Sequence, residues 1–523
     1  MPRLFAFILT YPRLTALALG VLSALGFEPV ALWPLSLLAL AGLMALLVRA
    51  QGRKAAFQLG WCFGLGQFSL GLNWIATAFG YQAAMPVWLG WGGVIGLSAY
   101  LAIYPGLATL LAWHARARLL ALVPAMAGGW IVTEWLRGWV FTGFPWNPLG
   151  VIFLDSFEAV GAARLLPWLG TYALSGLAAL FAGLWYAGLA RFRADRRVLA
   201  LLPLPIVVQF WPHTGAPAAT APARVPYVLV QPNIPQEQLN DPVYFATNFT
   251  RLAQAVPPPR QGDAAVVLWP ESGVPDLLRE GYPARYYSQT FGADPALARA
   301  RLAQLLGPER LLLSGTVDLE IQHDRAVGAR NSVTALDGTG TIRASFAKAH
   351  LVPFGEYVPM KALLEPLGLA RFVPGDIEFW PGPGPRSIDL GRFGKVGPSI
   401  CYEIIFPGAV ADRANRPDYL FNASNDGWYG SWAQPQFLAL ARLRAIEEGL
   451  PVLRSTTTGI SAVIAADGTV VQSVPYLSAG VLLGRIPGAA PPTPFARYGN
   501  GLSLVWAAVL LVLSLVASRR RWS

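Results

Sequence analysis

Several residues at the ends of apolar runs in the second half of this sequence are of types that could together carry acyl transfer on a cysteine. The run 396–400 ends at Cys401 and continues as Tyr402-Glu403, which reads as a short buried strand leading into a turn or helix start. Backbone N–H groups in such a turn would point back at the thiol, a setting that favours thiolates and developing oxyanions. Leu268-Trp269-Pro270-Glu271 sets a carboxylate after another apolar run. Phe346-Ala347-Lys348 supplies an ammonium, and Phe354-Gly355-Glu356 follows with a second carboxylate. A free thiol is little ionised at neutral pH, so Glu271 is the expected base. Lys348 and the N–H of Tyr402 are expected to stabilise the tetrahedral oxyanion. Glu356 would orient Lys348 or handle a proton on the leaving or attacking group. Taken singly, each carboxylate or amine reads equally well as surface charge, and Cys401 as an inert buried thiol. Their recurrence at comparable strand ends argues for chemistry.

The elements that would hold them are strands alternating with helices. Strand-like runs fall at 228–231, 265–269, 311–316, 396–400, 419–422 and 452–455, with helical stretches at 294–306 and 436–448 between them. This alternation predicts a layered α/β domain. The segment 422–430, Asn-Ala-Ser-Asn-Asp-Gly-Trp-Tyr-Gly, is a polar turn after one of those strands and carries Trp428. The histidines, His114, His213, His323 and His350, lie far apart and show no ligand spacing with Cys62 or Cys401, so neither a metal nor another cofactor is expected. Cys62 lies in an apolar run and reads as a small buried residue.

The first part of the chain is of another kind. Apolar residues make up 54% of the 523, and before Pro212 the acids are limited to Glu28, Glu134, Asp155, Glu158 and Asp195. Runs of roughly membrane-spanning length, about 20 residues each, fall near 10–27, 30–48, 56–78, 86–112, 119–136, 165–189 and 197–211, with a last one at 501–518. Expected boundaries are a helical membrane domain over 1–212, a linker at 213–226, the α/β domain at 227–488, a second linker at 489–500, a terminal span at 501–518 and a tail at 519–523. Arginines and lysines cluster at Arg3, at Arg49, Arg53 and Lys54, at Arg116 and Arg118, at Arg191 to Arg197, and at Arg519 to Arg521, while the links around 27–29 and 81–83 lack them. By the positive-inside rule, both termini are cytoplasmic and the α/β domain is exported. The net charge of +11 is spread over these loops rather than gathered in a patch with aromatics, which argues against nucleic acid as a partner. One outer link, containing Thr142-Gly143-Phe144-Pro145-Trp146-Asn147-Pro148, is aromatic and Pro-rich, and reads either as an interfacial belt or as a loop lining the substrate.

With Glu271 in Trp-Pro-Glu-Ser, Lys348 in Ala-Lys-Ala-His-Leu-Val-Pro-Phe-Gly-Glu and Cys401 in Ile-Cys-Tyr-Glu, the sequence resembles the nitrilase, or carbon–nitrogen hydrolase, superfamily and its Glu-Lys-Cys triad. Membrane spans on both sides of that domain make it similar to the apolipoprotein N-acyltransferase family. The resemblance implies a multi-domain protein: about eight transmembrane helices bearing an αββα sandwich. It implies that Cys401 takes an acyl chain from a phospholipid, typically phosphatidylethanolamine, and passes it to the α-amine of a diacylglyceryl-cysteine on an apolipoprotein at an inner membrane. It adds Glu356, Tyr402 and Glu403 as supporting residues of the site, and Trp428, Trp146 and Gly143 as substrate-binding ones. Two alternatives are a membrane-tethered amidase that uses water as acceptor and a transporter or scaffold with a non-catalytic exported domain.

Overall fold

The computed structural model describes residues 10–81, 87–191, 196–211, 225–359 and 377–519. The linker expected at 213–226 lies almost wholly outside them, as do residues 520–523 of the tail.

All eight apolar runs contain helix, the seventh as short pieces divided at its prolines. Among the described residues, four helices are long and apolar enough to cross a membrane: Trp88–Trp113, Leu119–Arg137, Gly161–Ala190 and Asn500–Arg519. Pro12–Ala24, Trp33–Val48 and Leu199–Phe210 are shorter apolar helices. Without a hydrophobic drive between helices in lipid, close backbone approach has to hold such a bundle together. Gly20 and Gly66 supply it: a Cβ on Gly20 would lie 1.9 Å from the Phe63 carbonyl oxygen, and one on Gly66 would lie 2.2 Å from that of Leu17.

Residues 225–359 and 377–490 form two six-stranded sheets. The first contains β1 (Pro226–Gln231), β2 (Val266–Leu268), β3 (Leu311–Gln322), β4 (Arg325–Asp337) and β5 (Ile342–Ala347). The second contains β6 (Ile388–Asp389), β7 (Lys395–Ile400), β8 (Tyr419–Ser424), β9 (Val452–Thr456), β10 (Ser461–Ile464) and β11 (Val470–Val474). β12 (Gly480–Arg485) returns to pair with β1, giving the orders β12-β1-β2-β3-β4-β5 and β11-β10-β9-β8-β7-β6. In each sheet three successive strands run parallel, β1-β2-β3 and β7-β8-β9.

Strand periodicity divides the first sheet's side chains between two cores. Val228, Val230, Val267 and Leu312 pack with Leu252, Ala298, Leu302 and Leu306 of the covering helices Phe245–Ala255 and Pro295–Leu306. Tyr227, Leu229, Val266, Leu268, Leu311 and Leu313 face the other way and join the core that includes Leu420, Phe421 and Leu453 of the second sheet. The order is therefore helix, sheet, sheet, helix, as the resemblance implies.

The fourth layer is the helix Ala433–Glu448, which lies between the second sheet and the apolar helices and is buried nearly all round. It carries six polar residues into that position, and several find partners across the junction. Gln436 donates to the carbonyls of Glu28 (2.9 Å) and Gly71 (3.3 Å). Arg442 donates to those of Asp155, Ser156 and Ala159 at 2.6–2.9 Å. Arg444 pairs with Glu447 at 3.0 Å and donates to the Thr171 hydroxyl at 2.6 Å, while Glu447 accepts from the Thr171 N–H at 2.7 Å.

Both members of the Arg444–Glu447 pair are fully buried. Arg444→Leu strands the carboxylate and is expected to cost about 3–5 kcal/mol, read as a lowered denaturation midpoint of the intact protein in detergent. Replacing both residues by leucine is expected to restore most of that loss.

Candidate active site

The first carboxylate is set by the end of β2. Trp269 N–H still bonds to the Leu313 carbonyl at 2.9 Å, after which Pro270 and Glu271 turn away from the sheet. Gly315 of β3 leaves room for that turn, since a Cβ there would lie 2.5 Å from the Glu271 Cα. The Glu271 side chain is buried, with Oε1 accepting from Asn331 Nδ2 at 2.6 Å and Oε2 from the Asn425 N–H at 2.7 Å.

Lys348 follows β5, its N–H bonded to the Asn331 carbonyl at 2.8 Å. Its side chain is 1% exposed, and Nζ lies 3.0 Å from the Glu356 carboxylate and 3.8 Å from Glu271 Oε1. Glu356 is held in turn by the Val352 N–H at 2.8 Å and by Asn331 Nδ2 at 2.9 Å.

Cys401 is the first residue after β7 and opens a single 3₁₀ turn, Cys401–Ile405. Its φ of +49° is in the left-handed region that side chains rarely occupy, a strain that the surrounding packing must hold. Part of that support comes from Glu403. Oε2 accepts from the Ile400 N–H at 2.8 Å, and Oε1 accepts from the N–H groups of Ala349 at 2.7 Å and His350 at 3.1 Å. The segments carrying Cys401 and Lys348 are thus tied to one carboxylate.

Burial dominates the electrostatics. It pushes the Glu271 carboxyl above the usual range, with Lys348 pulling the other way. Burial also disfavours the Lys348 ammonium, but the carboxylates of Glu356 and Glu271 outweigh it and hold the group protonated. The Cys401 thiol is pushed up to about 12 by burial first and by the Glu271 charge second. The sequence led us to expect a setting that favours thiolate. A lone 3₁₀ turn and one ammonium do not offset desolvation and the charges of Glu271 and Asp426, which favour the thiol form and leave its proton for a base to take.

The side facing the apolar helices is closed by residues 138–147. The Tyr402 hydroxyl donates to the Gly143 carbonyl at 3.1 Å, and His350 Nε2 donates to that of Thr142 at 3.0 Å. Arg137 holds the same loop from below through the carbonyls of Phe144 (3.0 Å) and Trp146 (2.7 Å). Gly143 has φ +72°, and a Cβ there would meet the Gly138 carbonyl oxygen at 2.3 Å. Trp146 is fully buried, bonded through Nε1 to Gln436 at 2.8 Å and packed against Trp74 with ring centroids 4.6 Å apart. Trp428 is half-buried and meets Tyr81 edge-on at 5.7 Å. Glu271, Lys348, Glu356, Cys401, Tyr402 and Glu403 therefore come together, while Gly143, Trp146 and Trp428 line the adjoining junction. Sequence reasoning missed Asn331 and the N–H of Asn425. It also missed Tyr429, whose ring meets that of Trp74 edge-on at 4.9 Å.

Comparison with known proteins bears on the whole chain. Residues 19–184 match the family model described as the apolipoprotein N-acyltransferase N-terminal domain, and residues 229–490 match the carbon-nitrogen hydrolase model. An apolipoprotein N-acyltransferase of Bradyrhizobium diazoefficiens is 36% identical over 99% of this chain and 97% of its own. One from Rhodopseudomonas palustris is 32% identical over 96% of this chain and 95% of its own. Among solved structures, an amidase from Nesterenkonia sp. AN1 covers 56% of this chain and 96% of its own at 16% identity and a TM-score of 0.35, a likeness too loose to bear on chemistry. The chain belongs to the apolipoprotein N-acyltransferase family, and its apolar helices make it a membrane protein of that family.

Proposed function

We propose that this protein moves a fatty acyl chain from a phospholipid, with phosphatidylethanolamine the expected donor, to the N-terminal α-amine of a diacylglyceryl-cysteine on an apolipoprotein. In the first half-reaction Glu271 takes the Cys401 proton as sulfur attacks the ester carbonyl carbon. Lys348 and the Tyr402 N–H stabilise the oxyanion. The ester C–O bond breaks, the proton passes to the departing glycerol oxygen, and a thioester remains. In the second half the amine attacks that thioester, Glu271 accepts a proton from nitrogen and passes it to the Cys401 sulfur as the C–S bond breaks, which restores the thiol and the ionised carboxylate. Glu356 orients Lys348, and Glu403 and Tyr402 support the segments that carry Lys348 and Cys401. Gly143, Trp146 and Trp428 border the lipid.

The observation that carries this reading is the burial of a thiol, an ammonium and two carboxylates at one point, against a loop of the apolar domain. Each buried methylene contributes about 0.8 kcal/mol, so a long acyl chain stays in the bilayer and the nucleophile must be held at its surface. The proposed arrangement has eight spans in 1–212 and 501–518, both termini cytoplasmic, and a periplasmic domain at 227–488 in an inner membrane.

Incubation with phospholipid alone is expected to leave an acyl adduct on Cys401, detected by intact-protein mass spectrometry, and adding an apolipoprotein peptide should discharge it as N-acylated peptide. Release of free fatty acid with no acylated peptide would instead make the protein a hydrolase. Glu271→Gln is expected to slow adduct formation about 10²–10⁴-fold, the usual size of general-base effects.

A pH dependence follows from the burial of Glu271. Only the ionised carboxylate can take the thiol proton, and burial raises its pKa. Single-turnover adduct formation should therefore rise with pH through a midpoint above the ordinary glutamate range, and Glu271→Gln should remove that limb. A midpoint at the ordinary glutamate value would contradict the assignment.

A further inference from the structure

Between the two carboxylates stands a residue that the chemistry above leaves unused. Asn331 lies in β4 and is 9% exposed. Its Nδ2 is 2.6 Å from Glu271 Oε1 and 2.9 Å from Glu356 Oε1, and its backbone carbonyl accepts the Lys348 N–H at 2.8 Å. The amide orientation is set by its neighbours, because the amide oxygen has no donor to meet on a carboxylate. An amide nitrogen has two hydrogens, so each carboxylate receives one.

We infer that Asn331 is a positioning residue for the base: its amide occupies the place where Glu271 and Glu356 would otherwise share a proton, and so keeps Glu271 free to take the proton of Cys401. Close carboxylates tend to hold one proton between them, which raises the pKa of the pair. The Lys348 ammonium does not prevent this evenly, since it is 3.0 Å from Glu356 but 3.8 Å from Glu271. On the Glu271 side the balance is made up by neutral donors, Asn331 Nδ2 and the Asn425 N–H. These donors favour the ionised form of Glu271, the form that can take a proton. The groups facing Glu271 are Lys348 after β5, Glu356 in the loop beyond it, Cys401 after β7, and Tyr429 ahead of the Ala433–Glu448 helix. None of the other three offers a donor to both carboxylates, among the described hydrogen bonds.

This rests on Glu271 being the base, and the test separates the two ideas. Full-length protein carrying Asn331→Leu or Asn331→Asp is compared with wild type between pH 5 and 9 by two readouts: acyl adduct from phosphatidylethanolamine vesicles, and alkylation of Cys401 by a neutral maleimide, which needs no lipid. Loss of a donor to a charged group is expected to move the acid limb of both upward by about one pH unit. The rate at pH 6 should then fall about tenfold more than the rate at pH 9. Asn331→Asp keeps the side-chain shape and adds a third acid, so its limb should move at least as far. A loss by the same factor at every pH, or no loss, in the variant that retains the wild-type melting temperature would overturn the role. A shifted alkylation limb in a protein whose wild type forms no acyl adduct would keep Asn331 and discard the lipid donor.

Discussion

The carboxylate of Glu403 accepts from three backbone amides that belong to two different sheets: Ile400 at the end of β7, and Ala349 and His350 just past β5. The two sheets meet face to face through apolar side chains, which set their spacing but not the alignment of strand ends to a fraction of an ångström. Hydrogen bonds to a buried charge do that, because leaving any one of these amides unmet would cost its full desolvation. Burial pushes the Glu403 carboxyl up to about 7 against the pull of those donors, so the strut is made from a group that would rather be in water. The nucleophile and the cation are carried on its two ends.

The same tension runs through the junction with the apolar helices. Ala433–Glu448 takes arginines, glutamines and glutamates into a position that an apolar helix would fill more cheaply. Pairing makes them tolerable, and direction is what they supply. An arginine reaching three carbonyls or a glutamine reaching two can be satisfied in one docking pose, whereas apolar faces slide. A site formed where a soluble layer meets a membrane bundle needs that single pose, since His350 and Tyr402, which bond to the bundle, are close in sequence to Lys348 and Cys401.

How much of this could be read beforehand varied with the physics involved. Eight apolar runs stood out because composition alone betrays a lipid-facing helix, although only half are long enough to make the case by themselves. Glu271, Lys348 and Cys401 were singled out because charges and a thiol recur at the ends of apolar strands, although each alone reads as well as surface charge or an inert thiol; the fold brings the three together. Asn331 was not, for an asparagine in a strand is unremarkable until two carboxylates arrive from other parts of the chain. The helix near 436–448 was found but its surroundings were not, since the carbonyls that satisfy Arg442 lie nearly three hundred residues earlier in sequence. How far burial opposes ionisation of Cys401 was not legible for a related reason: local sequence shows a turn, and desolvation is a property of everything packed around it.

The junction is addressed to the backbone. His350, Tyr402, Gln436 and Arg442 all end on main-chain carbonyls of the apolar domain. A carbonyl is present whatever residue bears it, so at these points the receiving loops can change their side chains without loosening the join, whereas Trp146 and Thr171, which bond through their side chains, cannot. The side chains of those loops are then free to vary while the α/β layer stays in register above them.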